Sequence, residues 1–208
     1  MIFAVALLVG AASPAFAKKP RAAAATTPAA DAQPAIKAEL AGTVALASIK
    51  ISRVALADDA SLADVKDEVT GIYDRQESAT KDALAKLKAA AGDSDKATEA
   101  VKALGAADDE AVKYFEKHAE TKEKIAKRAA LINTEIEQIT KAPADYIAAL
   151  KKADVTGDTL TKATTIVNYA SRNQRKYRDS DAALTGRTEV RKLLSATQVK
   201  ALDAALAK

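Results

Sequence analysis

His118 is the only histidine of the chain, and its neighbours on a helical face offer little chemistry. They are Tyr114, Phe115, Thr121 and Lys122, and a lysine one turn away repels a cation. A tetrahedral metal site needs three or four nitrogen, sulfur or carboxylate ligands. We therefore expect no metal site. We interpret His118 as a residue at the end of a helix seam, where its charge state makes packing sensitive to pH.

The residue types and motifs of this sequence exclude most cofactor chemistry. It contains no Cys and no Trp, and its one Met is Met1. Covalent haem attachment needs a C-x-x-C-H motif, and a ferritin-like di-metal centre needs two E-x-x-H elements. The sequence also lacks G-x-S-x-G, G-x-G-x-x-G and P-loop motifs. It predicts no cofactor and no catalytic residue, and hence a protein that is not an enzyme.

Acidic residues cluster at Asp58-Asp59 and at Asp108-Asp109-Glu110. Two carboxylates that converge in a cleft can act as general acid and general base. Both clusters, like Asp93, precede predicted helices, and Asp is a favoured residue at a helix N-cap. We interpret these acids as helix caps, and an enzyme that uses carboxylates alone remains a third alternative.

The most unusual local chemistry lies in the segment YASRNQRKYR, which begins at residue 169. Its candidate binding residues are four cations and two rings, namely Arg172, Arg175, Lys176, Arg178, Tyr169 and Tyr177. Rings beside cations can bind single-stranded nucleic acid, but the export signal at the N-terminus argues against that partner. Two interpretations remain. One is a binding face for an acidic protein, lipid surface or wall polymer, and the other is a solvated face paired with acids of a neighbouring helix.

The elements that must position these residues are predicted to be helices. The chain has 208 residues, of which 49% are hydrophobic and only 4% aromatic, with seven Gly, five Pro and a net charge of +4. Alanine, the strongest helix former, is abundant, and turn residues are too few for a loop-rich β-sandwich. We predict an all-α fold, an elongated, Ala-rich antiparallel helical bundle with coiled-coil-like seams and about five or six helices.

The N-terminus carries an export pattern. The apolar run Ile2–Ala12 is followed by Ser13-Pro14 and by the A-x-A sequence of Ala15–Ala17, although no Lys or Arg precedes the run. The pattern predicts a signal peptide over residues 1–17, cut after Ala17, and a periplasmic location. The run is shorter than the roughly 20 residues of a bilayer span, which disfavours an uncleaved anchor. Residues 18–34 predict a flexible Ala/Pro/Thr-rich tether, and residues 35–208 predict the bundle domain.

Apolar residues recur at spacings of three and four through most of the predicted domain. Predicted long helices span 35–57, 62–91, 108–141 and 159–179, with shorter ones over 96–104, near 146–152 and from 195 onward. The helix over 35–57 has one apolar stripe, Ile36, Leu40, Val44, Ala47, Ile51 and Val54. Leu46, Ile49 and Leu56 lie opposite, so two covered faces are expected, and its β-branched residues leave a strand as an alternative. Heptad seams serve equally within or between chains, so a homo-oligomer is also open.

The segment Leu194-Ser195-Ala196-Thr197-Gln198 resembles the LTxxQ motif of small periplasmic helical stress proteins of the spheroplast-protein-Y type. Ser195 stands where that family has Thr, and this chain has one copy of the motif where the family has two. Ser195 and Gln198 also form a capping box, which predicts a helix start at Ser195. The resemblance implies an ATP-independent chaperone or an envelope-stress partner.

These observations predict an exported, non-enzymatic bundle of the cell envelope that binds other macromolecules through helix faces, as an adaptor or structural protein. The expected partners are envelope proteins or an acidic polymer or lipid surface, and not nucleic acid. The helix over 35–57 and the basic segment are the expected contact surfaces. The alternative function is a periplasmic chaperone of the LTxxQ type, which requires an exposed apolar patch.

Overall fold

The computed structural model describes residues 32–90, 93–177 and 181–206. These residues form helices that pack against one another, without a strand among them, which confirms the predicted all-α bundle. The α-helices are α1 Ala32–Asp58, α2 Lys66–Ala89, α3 Ser94–Ala106, α4 Asp109–Lys117, α5 Ala119–Lys141, α6 Pro143–Lys152, α7 Gly157–Tyr177, α8 Ala182–Lys192 and α9 Ala196–Leu206. A 3₁₀ helix over Ala60–Val65 precedes α2.

The predicted signal peptide and the first part of the predicted tether lie outside the described residues. α1 begins at Ala32, within the segment predicted as tether. Among the described residues, only α1 is long and apolar enough to cross a membrane, over Ala35–Asp58. Such a helix near the N-terminus is compatible with an export signal. A core helix passes the same test, and the second half of α1 does bury Ile49 and Leu56 in the bundle.

The helix predicted over 108–141 is broken in two. At His118 the backbone angles φ −122° and ψ 56° leave the helical region, so α4 ends there and α5 begins. The change of direction lets α4 bury Ala111 and Phe115 against α2, whereas α5 packs against α1 and α7. The prediction of one continuous helix over 108–141 is therefore wrong, and the side chain of His118 is exposed at the junction and not packed in a seam.

The core consists of two large clusters and one small one. One large cluster joins α5 to α9 and includes Tyr146, Leu150 and Val167. The other joins α1, α2, α4 and α5 through residues such as Ile49, Val69 and Ile132. The small cluster holds Ala38, Leu87 and Ala100, at the end of the bundle formed by α1, α2 and α3.

The first half of the predicted stripe of α1 is not buried, whereas Ile51 and Val54 in the second half pack against the core, as do Ile49 and Leu56 on the expected second face. The first half of the helix buries Ala38 and Gly42 instead, and exposes 56% of Ile36, 65% of Leu40 and 51% of Val44. The cause is close packing on α2, because a Cβ atom at residue 42 would lie 2.7 Å from Leu84 Cδ2. Small residues admit this approach and larger ones do not. We call the exposed residues Ile36, Leu40 and Val44 the α1 stripe.

Candidate functional site

The predicted basic segment forms the exposed side of the last turns of α7. Tyr169, Arg172, Arg175, Lys176 and Tyr177 are all exposed there, and we call these residues the basic face. Spacings of three and four residues place most of them on one side of the helix, while Ala163, Val167 and Ala170 are buried on the other. Arg178 lies outside the described residues.

The cations of the basic face make no ion pair with any carboxylate of the described part of the chain. Arg175 Nε donates to the backbone oxygen of Ser171 at 3.3 Å, and Lys176 Nζ lies 5.1 Å from the centre of the Tyr177 ring. Tyr169 and Tyr177 are 67% and 64% exposed. The interpretation as a face paired with neighbouring acids therefore does not hold for Arg172, Arg175 and Lys176.

The C-terminal motif is a helix cap. Ser195 N donates to Gln198 Oε1 at 3.0 Å, and Gln198 N donates to Ser195 Oγ at 3.3 Å, which is the predicted reciprocal box. Gln198 Nε2 also donates to the backbone oxygen of Asp154 at 3.1 Å, so the motif attaches α9 to the turn between α6 and α7. Leu194 is half-buried and packs against the core cluster of α5 to α9.

His118 lines an open groove of about 350 Å³ between α2 and α4. The groove, which we call the α2–α4 groove, is lined by Glu68, Ile72, Arg75, Glu110, Lys113, Tyr114, Lys117 and His118. The imidazole stacks on Tyr114 with ring centres 4.2 Å apart, and Tyr114 meets Phe115 edge-on. None of the described residues form a group of three or more potential metal ligands, in this groove or elsewhere.

Two polar contacts cross the α2–α4 groove. Arg75 donates twice to Glu110, at 2.9 and 2.6 Å, and this pairing raises the pKa of Arg75 and lowers the pKa of Glu110. Tyr114 Oη donates to Glu68 at 3.2 Å. Desolvation and the adjacent Glu68 carboxylate raise the pKa of Tyr114, so its hydroxyl remains a donor.

A second group of charges, which sequence reasoning missed, extends from the interior of the bundle to an open cleft at its surface. We call it the ionic cluster, and its members are Asp58, Arg128, Glu135, Arg187, Arg191 and Asp203. Glu135, only 1% exposed, accepts hydrogen bonds from Arg187 Nε at 2.7 Å, from Arg191 Nε at 3.0 Å and from Tyr146 Oη at 2.6 Å. Asp58 and Asp203 extend the cluster through Arg187, Arg191 and Arg128.

The pKa of Asp203 in the ionic cluster is shifted away from the value that an acid–base pair needs. Burial opposes ionisation of Asp203, but hydrogen bonds from Arg191 and Arg128 outweigh it and lower the pKa of this carboxyl. Burial and the adjacent Glu135 carboxylate raise the pKa of Tyr146 well above its usual range. An acid–base pair needs one carboxyl whose pKa is raised towards neutrality. Asp203, beside the open cleft that it lines with Asp58 and Arg128, has the opposite shift.

The acid clusters identified in the sequence have mixed roles. Asp59 accepts from Ser61 N at 2.9 Å and Asp93 accepts from Lys96 N at 3.1 Å, which confirms both as helix caps. Asp108 makes no side-chain cap hydrogen bond, whereas Asp109 and Glu110 occupy the first turn of α4. Asp58 is not a cap: it ends α1 and belongs to the ionic cluster.

A signal for the ionic cluster was present in the sequence. Glu135 lies between Ile132 and Ile139 at helical spacing, so a carboxylate occupies the aliphatic stripe of α5. Arg187 and Arg191 lie four residues apart around the buried Val190, which places them on one side of α8. A buried acid requires a buried partner, and these arginines supply it.

Comparison with known proteins yields no match to a family model, a curated protein or a solved structure.

Proposed function

We propose that this protein is an exported, non-enzymatic helical bundle of the cell envelope that binds an acidic macromolecule through the basic face of α7. The observation that carries the proposal is the lack of intramolecular ion pairs at Arg172, Arg175 and Lys176 among the described residues. Each of these cations is exposed, and the exposed residues Tyr169 and Tyr177 lie on the same part of α7. Aromatic and arginine side chains are the residues that contribute most at protein interfaces.

Three lysines of α5 differ from these cations. On α5, Lys124, Lys127 and Lys141 each pair with a glutamate one turn earlier, at 2.8, 2.7 and 3.1 Å. α7 has no such glutamates, and its acidic residue Asp158 lies in the first turn. A ligand that binds the basic face does not have to displace an internal partner, and its acidic groups are attracted from a distance.

Two further observations support the remaining parts of the proposal. The apolar run and A-x-A sequence of residues 1–17 favour export and cleavage after Ala17. The lowered pKa of Asp203, at the cleft beside the ionic cluster, argues against a carboxylate enzyme at that position. The mass of the protein extracted from the envelope tests the export step, because cleavage after Ala17 removes residues 1–17.

The binding function is tested by photo-crosslinking in the native envelope, with a photoreactive amino acid in place of Tyr169. We expect a small set of recurrent acidic partners. The double variant Arg172→Glu/Lys176→Glu should abolish this capture. The variant Lys86→Glu/Lys102→Glu changes the net charge equally at exposed sites on α2 and α3, and should retain it. Equal loss in both variants, or capture that neither variant changes, contradicts the proposal.

A second candidate is the chaperone of the LTxxQ type, and the α1 stripe favours it. Three large aliphatic side chains exposed on one side of a helix can bind unfolded clients. The test is suppression of aggregation of a reduced client protein without ATP. The variant Ile36→Ser/Leu40→Ser/Val44→Ser should lose this activity, whereas Val112→Ser, at another exposed aliphatic residue, should keep it. Failure of the unaltered protein to suppress aggregation rejects this candidate.

A further inference from the structure

We infer that the α2–α4 groove binds a small acidic sugar, a polyhydroxylated ring that carries a carboxylate or a phosphate group. The site is separate from the basic face, because its residues come from α2, α4 and the junction at His118. The inference is therefore independent of the proposed function. Three properties of the groove carry it: its unpaired cations, its acceptors and its rings.

The unpaired cations are Lys113 and Lys117. They lie four residues apart on α4 and make no ion pair with any described carboxylate, while Arg75 is already held by Glu110. Two lysines one turn apart point to the same side of a helix, where they can hold a single anionic group between them. The anion is therefore expected on the α4 side of the groove.

The acceptors are Glu68 and Glu110, on opposite walls of the groove. Each carboxylate has about four lone-pair sites, and the contacts with Tyr114 and Arg75 leave some of these sites free. Free acceptors beside a cationic site favour a ligand that donates hydrogen bonds and also bears a negative charge. A planar aromatic acid supplies the charge without the donors, whereas an acidic sugar supplies both.

The rings supply the apolar surface of the groove. The chain has five Tyr, three Phe and no Trp. The rings that line the groove are those of Tyr114 and His118, which stack with their centres 4.2 Å apart. Phe115, which is buried in the core, packs edge-on against Tyr114. Stacked rings offer flat apolar area to the C–H face of a sugar ring. The volume of about 350 Å³ is at the lower end of the range for small-molecule pockets, which fits one or two sugar rings.

His118 itself reports binding, because a single histidine gives a single set of imidazole signals in a ¹H–¹³C correlation spectrum of the whole protein. We expect saturable shifts of these signals on titration with glucuronate or with glucose 6-phosphate, and the stronger response identifies the anionic group. Glucose, acetate and inorganic phosphate test the ring and the charge separately, and each alone should give a much weaker response. Equal shifts with glucose, acetate or phosphate, or no shift with either acidic sugar, overturn the inference.

A pair of matched variants locates the site. Lys113→Ala/Lys117→Ala removes two exposed, unpaired lysines and should weaken binding by about tenfold or more, since charged hydrogen bonds are lost. Lys151→Ala/Lys152→Ala makes the same change at exposed residues of α6 and should leave binding unchanged. Because all four lysines are exposed, both variants are expected to fold. Equal affinity in the two variants contradicts the assignment.

Discussion

The α1–α3 end of the bundle and its α5–α9 body are held together in different ways. At the α1–α3 end the small core cluster consists of Ala38, Leu87 and Ala100, and Gly42 brings two helices into close contact. The body has a larger apolar cluster around Tyr146 and Val167 and also contains the ionic cluster. The first arrangement buries little apolar area and leaves the α1 stripe outside. The second neutralises every buried charge with a specific partner.

One sequence thus combines an adaptable surface with a specific core. Buried apolar area contributes about 25 cal/mol per Å², so a core of two alanines and one leucine stabilises its helices only modestly. Aliphatic residues that are not buried in the core, such as the α1 stripe, remain available for contacts with other molecules. Buried charges tolerate only one arrangement, because an unpaired buried ion is strongly destabilising. The body is therefore expected to be the more stable and more specific part of the molecule.

The largest expected effect is that of Glu135→Ala. It removes the acceptor of Arg187, Arg191 and Tyr146 and leaves buried positive charge, so the free energy of unfolding should fall by about 3–5 kcal/mol. Urea unfolding measures it. Glu137→Ala is the control, because this exposed residue pairs only with Lys141 and should cost about 0.5 kcal/mol or less. Similar losses in the two variants would show that the ionic cluster is not formed in solution.

The two halves of α1 provide the next comparison. Ile49→Ala removes a side chain that is 3% exposed and should cost about 2–5 kcal/mol, whereas Leu40→Ala should change the free energy of unfolding by about 0.5 kcal/mol or less. The same urea titrations measure both. A comparable loss for Leu40→Ala would mean that the α1 stripe is covered in solution, for example by a second copy of the chain.

Two close helix contacts give a smaller contrast. A Cβ atom at Gly186 would lie 2.6 Å from Ala170 Cβ, which is fixed to the backbone of α7, so Gly186→Ala should destabilise by about 1–3 kcal/mol. At Gly42 the nearest atom is the end of the Leu84 side chain, which can rotate away. Gly42→Ala should therefore cost less, as measured by thermal unfolding. The reverse order would indicate that the α1–α2 contact is the more rigid of the two.

The smallest expected effect concerns pH. The pKa of Asp203 is lowered in the folded state, so its contribution to stability is present above its unfolded pKa of about 3.9 and is lost as the pH falls through the folded value. Asp203→Asn should be less stable than the unaltered protein near neutrality, and the difference should shrink below about pH 4. Asp82→Asn, at an exposed residue of α2, should show no such convergence in urea unfolding. A difference independent of pH would refute this assignment.

The sequence predicted the positions of the helices more accurately than it predicted which face of each helix is buried. Spacings of three and four located α2, α5 and α7, and the cap residues Asp93, Ser195 and Gln198 are where the sequence placed them. Periodicity failed for α1, because apolar residues lie on both sides of it and the buried side is decided by how closely α2 approaches. That distance depends on small residues such as Gly42, whose effect is visible only once the helices are packed.

The two candidate sites also differ in whether the sequence alone could predict them. The exposed cations and tyrosines of α7 could be recognised from their types alone. The α2–α4 groove could not be recognised in this way, because its two walls come from distant parts of the sequence. Tyr114 and Glu68, for example, are 46 residues apart. No Pro or Gly lies at the break at His118 that ends α4, so no local residue predicted this break.

The ionic cluster also has a kinetic consequence. It joins Arg187 to Asp58 across 129 residues and Arg128 to Asp203 across 75 residues. Contacts so distant in sequence close long loops and are expected to form after the transition state for folding. Interactions that are absent from the transition state slow unfolding without accelerating folding. The cluster is therefore expected to lower the unfolding rate and so to determine how long the native bundle persists, whereas local helix contacts determine the folding rate.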